Sequence, residues 1–181
     1  MEDELIEGCK RKERKAQKEL YSRYASLFLG ICARYARDRN EAEDILQEAF
    51  VKIFFKIDDF EGKGSFEGWM KRVVVNTAIN YYHQQYKLRH HKEIDEIPDS
   101  QALGNELQTA DFTQAELMSI ITALPLGYRM VFNLYAIEGY KHKEIAQMLK
   151  IDVNTSKSQY SRAKGLIRKK LEAIGHVPSP Q

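Results

Sequence analysis

Residues 141 to 171, KHKEIAQMLKIDVNTSKSQYSRAKGLIRKKL, gather cations on one side of what the spacing predicts to be a helix-turn-helix. Ile145, Ala146 and Leu149 recur at spacings of one and three, the buried stripe of a first helix. Ile151 and Asp152 break the pattern, and Asn154 or Thr155 is placed to cap the next helix. Val153, Tyr160, Ala163, Ile167 and Leu171 line one side of that helix, at spacings of seven, three, four and four. Its other side carries Lys157, Ser158, Ser161, Arg162, Lys164, Arg168 and Lys169. From Lys141 to Lys170 there are nine Lys or Arg against Glu144 and Asp152, a local charge of plus seven in a chain of net charge +2. A short polar helix start followed by Lys and Arg suits a major groove. Side chains near the start reach base edges there, and later cations meet phosphates. The alternative is a solvated basic face on a small helical hairpin, since charge runs often do nothing specific.

No catalytic constellation accompanies this segment. The chain has no phosphate-binding glycine loop, no GxSxG and no HExxH, and Gly62 and Gly64 in EGKGSF are too few and badly spaced for a nucleotide cradle. An enzyme is not expected, and neither is a cofactor. Cys9 and Cys32 are the only cysteines, too few for a disulfide framework. With His83, His90 and His91 they show no CxxC or HxxxH spacing, so no metal site is expected and Cys32 reads as a core thiol. At 181 residues, with 43% hydrophobic and 30% charged, the chain suits one domain or two small ones. No apolar stretch approaches bilayer length and the start MEDELIEG is not a signal peptide, which predicts a cytoplasmic protein.

The elements that must position these residues are helical almost throughout. Leu20, Tyr24, Leu27, Phe28, Ile31, Cys32 and Tyr35 form a stripe at helical period, ending near Arg37 to Asn40. Glu41 to Lys56 predicts a second helix with acids in its first turn, where the macrodipole favours them. A loop from Asp58 to Ser65 leads into a third, Phe66 to about Lys87, containing Trp69, Val73, Val74, Ala78 and Tyr82. Charge then changes abruptly. Between Glu93 and Glu116 there are seven Asp or Glu and no Lys or Arg, with Pro98 and Gly104 among polar residues. That composition predicts a linker. Beyond it Leu117 to Ala123 reads as a short helix, Pro125 opens another, and VPSPQ is a frayed tail.

Taken together, three segments resemble the extracytoplasmic-function sigma factors, the small two-domain members of the sigma-70 family. EAEDILQEAFVKIFFKIDDF, Glu41 to Phe60, is similar to the family's core-polymerase-binding helix with its D-x-x-Q-E-x-F pattern. SFEGWMKRVVVNTAINYY, Ser65 to Tyr82, resembles its S-F-x-x-W-L-x-x-I-x-x-N signature. Leu124 to Leu171 resembles its minus-35-binding domain, and the three lie in the family's order. Met70 stands where the family often has Leu, Asn154 where Gly is frequent, and Ser156 where Val is frequent. The Ser156 change puts a hydroxyl at a half-buried position. Gln159 replaces a frequent Arg, so a different promoter base is expected to be read there.

In the first segment, Ile45, Leu46, Ile53, Phe54 and Ile57 include the core stripe, while Asp44, Gln47, Glu48 and Val51 fall largely on the other side. Such an acidic, partly apolar face suits docking on a basic helix, by resemblance the coiled coil of the RNA polymerase clamp. The alternative is a solvated acidic face. In the Asp58 to Ser65 loop and the helix after it, Lys63, Lys71 and Arg72 supply cations and Phe60, Phe66 and Trp69 ring surface, which suits single-stranded DNA. Trp69 reads as core rather than base stack, since a lone Trp on an apolar stripe packs inward. By resemblance the Phe60, Lys63 and Ser65 loop holds a base flipped from the minus-10 element, and Asn76 and Asn80 match the family's asparagines. Arg89, His90, His91 and Lys92 extend the basic helix end toward upstream phosphates. In the third, Lys157 and Arg162 match basic positions that touch minus-35 DNA in the family; Ser158 and Gln159 lie near the helix start, and Lys164, Arg168 and Lys169 farther along.

The resemblance implies an all-α fold of two small helical domains joined by a flexible acidic linker. Residues 1–92 are expected as sigma region 2, 93–112 as the linker, and 113–175 as sigma region 4. The linker is either a plain tether or, as in the family, a segment running through the polymerase's channels. The implied function is promoter-specific transcription initiation without catalysis. The partners are bacterial RNA polymerase core and promoter DNA, with an anti-sigma factor as a further one. The rival readings are a helix-turn-helix regulator that binds operators alone as a dimer, which leaves the Glu41 to Phe60 helix unexplained, and an RNA-binding helical protein, for which no module is recognised.

Overall fold

The structure, a computed structural model, describes residues 2–89 and 113–173. The expected linker 93–112, the basic residues His90 to Lys92 and the VPSPQ tail lie outside the described residues. The chain divides into two compact units, Met1–Gln85 and Tyr86–Gln181.

The first unit opens with α1, Glu2–Lys10, a helix that the sequence pattern does not announce. Glu2, Asp3 and Glu4 occupy its first turn and Lys10 its last, each at the favourable end of the helix dipole. Leu5, Ile6 and Cys9 are its buried face. Helix α2, Arg14–Tyr35, follows a tight turn and buries Leu20, Tyr24, Phe28, Ile31, Cys32 and Tyr35. A Cβ on Gly8 would meet the Cβ of Ala16 at 2.8 Å, so the close approach of the two helices needs glycine there. Leu27, expected on the buried stripe, is 45% exposed, because it lies at the margin of the arc centred on Phe28, Ile31 and Tyr35. Both cysteines are buried free thiols. Burial pushes Cys32 up to about 12 and raises Cys9 as well.

Helix α3, Arg39–Lys56, starts on reciprocal caps. The Asp38 carboxylate accepts from the Glu41 N–H at 2.9 Å, and the buried Glu41 carboxylate accepts from the Arg37 N–H. Ile45, Leu46, Ala49, Phe50 and Ile53 enter the core, while Phe54 is only half-buried. A 3-10 turn, Ile57–Asp59, then leads to a glycine-bearing loop. Gly62 and Gly64 have φ of 72° and 87°, the left-handed region that side chains avoid. Helix α4, Phe66–Arg89, buries Phe66, Met70, Val74, Val75, Ala78 and Ile79.

The second unit contains α5, Gln114–Thr122, with a capping box in which Thr113 and Glu116 satisfy each other's N–H groups. Pro125 is the N-cap of α6, Leu126–Phe132. The helix then widens into a π turn, Asn133–Ile137, which turns Tyr135 outward. Helix α7, His142–Leu149, buries Ile145, Ala146 and Leu149 as the spacing predicts. It stops on Lys150, whose φ of 56° is left-handed. Helix α8, Val153–Ala173, packs Ala163, Ile167 and Leu171 against Ile120, Ile121, Leu124, Tyr128 and Phe132. Asn154 and Thr155, expected as caps, lie inside the first turn of α8, because the helix already begins at Val153. No strand occurs among the described residues, and no helix of theirs is long and apolar enough to cross a membrane.

Candidate nucleic-acid interface

Helix α8 turns a broad polar face away from its core. Lys157, Ser158 and Lys169 are exposed, and Ser161, Arg162 and Arg168 half-buried. Gly165 lies on the same outer side, and a Cβ there would meet nothing within 4 Å. The Ser158 hydroxyl donates to the Thr155 carbonyl at 3.0 Å, leaving its lone pairs outward. Two expected contacts sit elsewhere. The Lys164 ammonium stands 4.9 Å from the centre of the Tyr160 ring, at the flank of the helix. Gln159 folds its amide against Gly127 of α6, where an added Cβ would come within 3.3 Å of it. The structure therefore brings Lys157, Ser158, Arg162, Arg168 and Lys169 to the outer side and sets Gln159 and Lys164 at its margins.

The start of this face is held by an arrangement that spacing alone does not disclose. Ser156 is wholly buried, with its hydroxyl 2.9 Å from Nδ1 of His142. The imidazole stacks on Tyr135 at 4.3 Å and 15° and meets the Tyr160 ring at 5.9 Å. Burial, and then the nearby Lys157 charge, hold His142 below its ordinary value.

In the first unit, Phe60, Phe66 and Trp69 form a ring cluster, Phe66 and Trp69 stacked at 5.7 Å with Phe60 tilted against both. Trp69 is half-buried, neither core nor free platform. The Ser65 hydroxyl accepts from the Gly68 N–H at 3.3 Å, so it starts α4 as a cap. Lys63 pairs with Glu61 at 2.6 Å and Lys71 with Glu67 at 2.8 Å. Such surface pairs are weak enough for a phosphate to displace the carboxylate. Arg72, Asn76 and Asn80 are all exposed and recur at intervals of four, one polar row along α4.

On α3 the outer line is Asp44, Gln47, Glu48 and Val51. Asp44, Gln47 and Val51 are exposed, whereas Glu48 is partly covered and paired with Lys52 at 2.5 Å. The line continues one turn past Val51 through Phe55, 84% exposed, a residue not singled out from the sequence. Beside Gln47 a shallow groove of about 270 Å³ runs between α3 and α2, walled by Tyr21, Ala25 and Leu29.

Two helical units, one with a basic helix-turn-helix and one with a polar row beside a ring cluster, define a class. Residues 20–87 match the family described as Sigma-70 region 2, and residues 114–167 that described as Sigma-70, region 4. These matches together take in more than half of the chain, which belongs to the sigma-70 family. Its relatives over nearly the full length include extracytoplasmic-function (ECF) members. An ECF RNA polymerase sigma-E factor of Haemophilus influenzae is 29% identical over 180 residues, covering 94% of this chain and 95% of its own. The RNA polymerase sigma-H factor of Pseudomonas aeruginosa is 26% identical, covering 96% of this chain and 95% of its own. Among solved structures, the sigma factor RpoE of Bartonella quintana, crystallised with the anti-sigma factor NepR, shares the fold. Its TM-score is 0.52 at 19% identity, over 86% of this chain and 98% of that one.

Proposed function

We propose that the chain is a specificity subunit of bacterial RNA polymerase that binds core enzyme, melts the minus-10 element and reads minus-35 duplex. The observation that carries this reading is the presence, in one chain, of the outward basic face of α8 and the exposed Arg72, Asn76 and Asn80 row of α4. A free-standing regulator needs the first and has no use for the second. Residues 1–92 act as region 2, 93–112 as a linker and 113–175 as region 4. Asp44, Gln47, Glu48 and Val51 meet a basic helix of core polymerase. Phe60, Lys63, Ser65, Lys71, Arg72, Asn76 and Asn80 surround a flipped minus-10 base and its strand. Lys157, Ser158 and Arg162 reach base edges, and Arg168 and Lys169 meet phosphates. The protein catalyses nothing itself and works in the cytoplasm beside its polymerase, where an anti-sigma factor is a further partner.

Core enzyme alone and core enzyme with this protein, transcribing the same sheared genomic DNA, test the reading. Discrete start sites that appear only with the protein, downstream of a shared pair of sequence elements, are expected. Unchanged transcripts, or no co-elution with core polymerase, would overturn it. Within that assay Asn76→Ala should cut transcription from duplex promoters. A template with a pre-melted minus-10 bubble should partly restore it, because unstacking is then no longer required.

A further inference from the structure

We propose that His142 and Ser156 form a polar latch that sets how α8 presents its base-reading turn, so that both are positioning residues for minus-35 recognition. The inference rests on the reading of α8 given above.

A buried hydroxyl must find a partner. Ser156 has no exposure, and its hydroxyl lies 2.9 Å from His142 Nδ1, fourteen positions back in the first turn of α7. The ring that supplies this partner is itself held, stacked on Tyr135 of the π turn and edged by Tyr160 of α8. Three elements thus converge on one imidazole. What α7 and α8 otherwise bury is apolar: Ile145, Ala146 and Leu149 from one, Ala163 and Ile167 from the other. Apolar contact is non-directional and tolerates rotation of a helix about its axis. A hydrogen bond is directional, and this one fixes the rotation at the end of α8 where it matters. Lys157 and Ser158 follow Ser156 immediately, and base readout tolerates displacements of only about half an ångström. A turn of α8 too small to disturb the core would still misalign them.

The test uses reconstituted holoenzyme on two templates. One is a promoter selected by the wild-type holoenzyme, and the other is the same promoter with its minus-35 element scrambled. The ratio of transcripts measures minus-35 discrimination. Ser156→Ala and His142→Phe should each lower that ratio, by about tenfold if one well-aligned base contact is lost. The double variant should fall no further than the worse single, because both remove the same bond. His142→Asn, which keeps a polar atom near the Nδ1 position, should retain most of the ratio. Co-elution with core polymerase and transcription from a pre-melted template should not change. Should His142→Phe fail to fold, the contrast between Ser156→Ala and His142→Asn decides alone. The latch is overturned if folded Ser156→Ala keeps the wild-type ratio, or if the double variant's loss is the sum of the singles. If the wild-type holoenzyme itself ignores the minus-35 sequence, the reading of α8 fails, which is a different outcome.

Discussion

Helices α3 and α8 each turn a charged face to solvent, but they manage charge in opposite ways. On α3, Arg39 pairs with Glu43 and Lys52 with Glu48, and at its entry Arg37 pairs with Glu41. These spacings of four balance the helix against itself. On α8 six Lys or Arg stand against Glu172 alone. A self-balanced face with Val51 and the strongly exposed Phe55 in line suits a protein partner, where shape and apolar area hold the complex. An unbalanced cationic face suits a polyanion, whose released counterions drive association. The same fold class thus offers two recognition chemistries, set by how evenly carboxylates and cations are matched along each helix.

Charge reversal on α3 should give the largest effect. Asp44→Lys with Glu48→Lys would free Lys52 and set like charges against a basic partner, a cost of several kcal/mol. Capture of core polymerase should then fall by about a hundredfold or more. The check is co-elution at unchanged helical circular dichroism, and retained capture would erase the contrast with α8. Next in size, Arg162→Ala should cost about 1–3 kcal/mol of minus-35 binding and relax preference at particular bases, read by competition among variant duplexes.

Salt separates the faces further. Lys169→Ala should weaken all sequences alike and lower the slope of log affinity against log salt by about one, whereas Phe55→Ala should weaken core binding with that slope unchanged. A Lys169 variant with wild-type affinity and an unchanged slope would mean that this part of α8 meets no phosphate. The smallest effect is acidic. His142 is held below its ordinary value, so the unfolded chain takes up its proton first as pH falls. The stability tied to neutral His142 is complete above the unfolded value near 6.5 and is lost as pH drops through the lowered folded one. Melting of the second unit should therefore soften below about pH 6.5. His142→Asn should flatten that dependence.

The sequence shows long helices best and tertiary partnerships least. The α7 stripe and the α8 stripe are visible because each repeats over several turns at a helical period. Helix α1 is not, since Leu5, Ile6 and Cys9 are too few to make a period. The π turn escapes because it inserts one residue into the count, and it is that insertion which aims Tyr135. Phe55 stands one turn beyond Val51, so the helical period does place it on the outer line, but its apolar type drew no notice beside Ile53 and Phe54. The Ser156 hydroxyl could be flagged as out of place, but its partner fourteen residues away is a fact of folding. Gln159 and Lys164 are a related case. Both lie on flanks where the helical wheel is ambiguous, and contacts with Gly127 and Tyr160 decide.

The two buried thiols of the first unit have a practical consequence. With Cys32 pushed up to about 12 and Cys9 also raised, neither presents a thiolate at neutral pH while the unit is closed. A thiol reagent can then react only through openings of the structure, and its rate becomes a clock for them. Cys9 lies on the short α1 and Cys32 inside the long α2, so the two clocks time different events. Peeling of the first helix should expose Cys9 alone, while Cys32 waits for the whole unit to come apart.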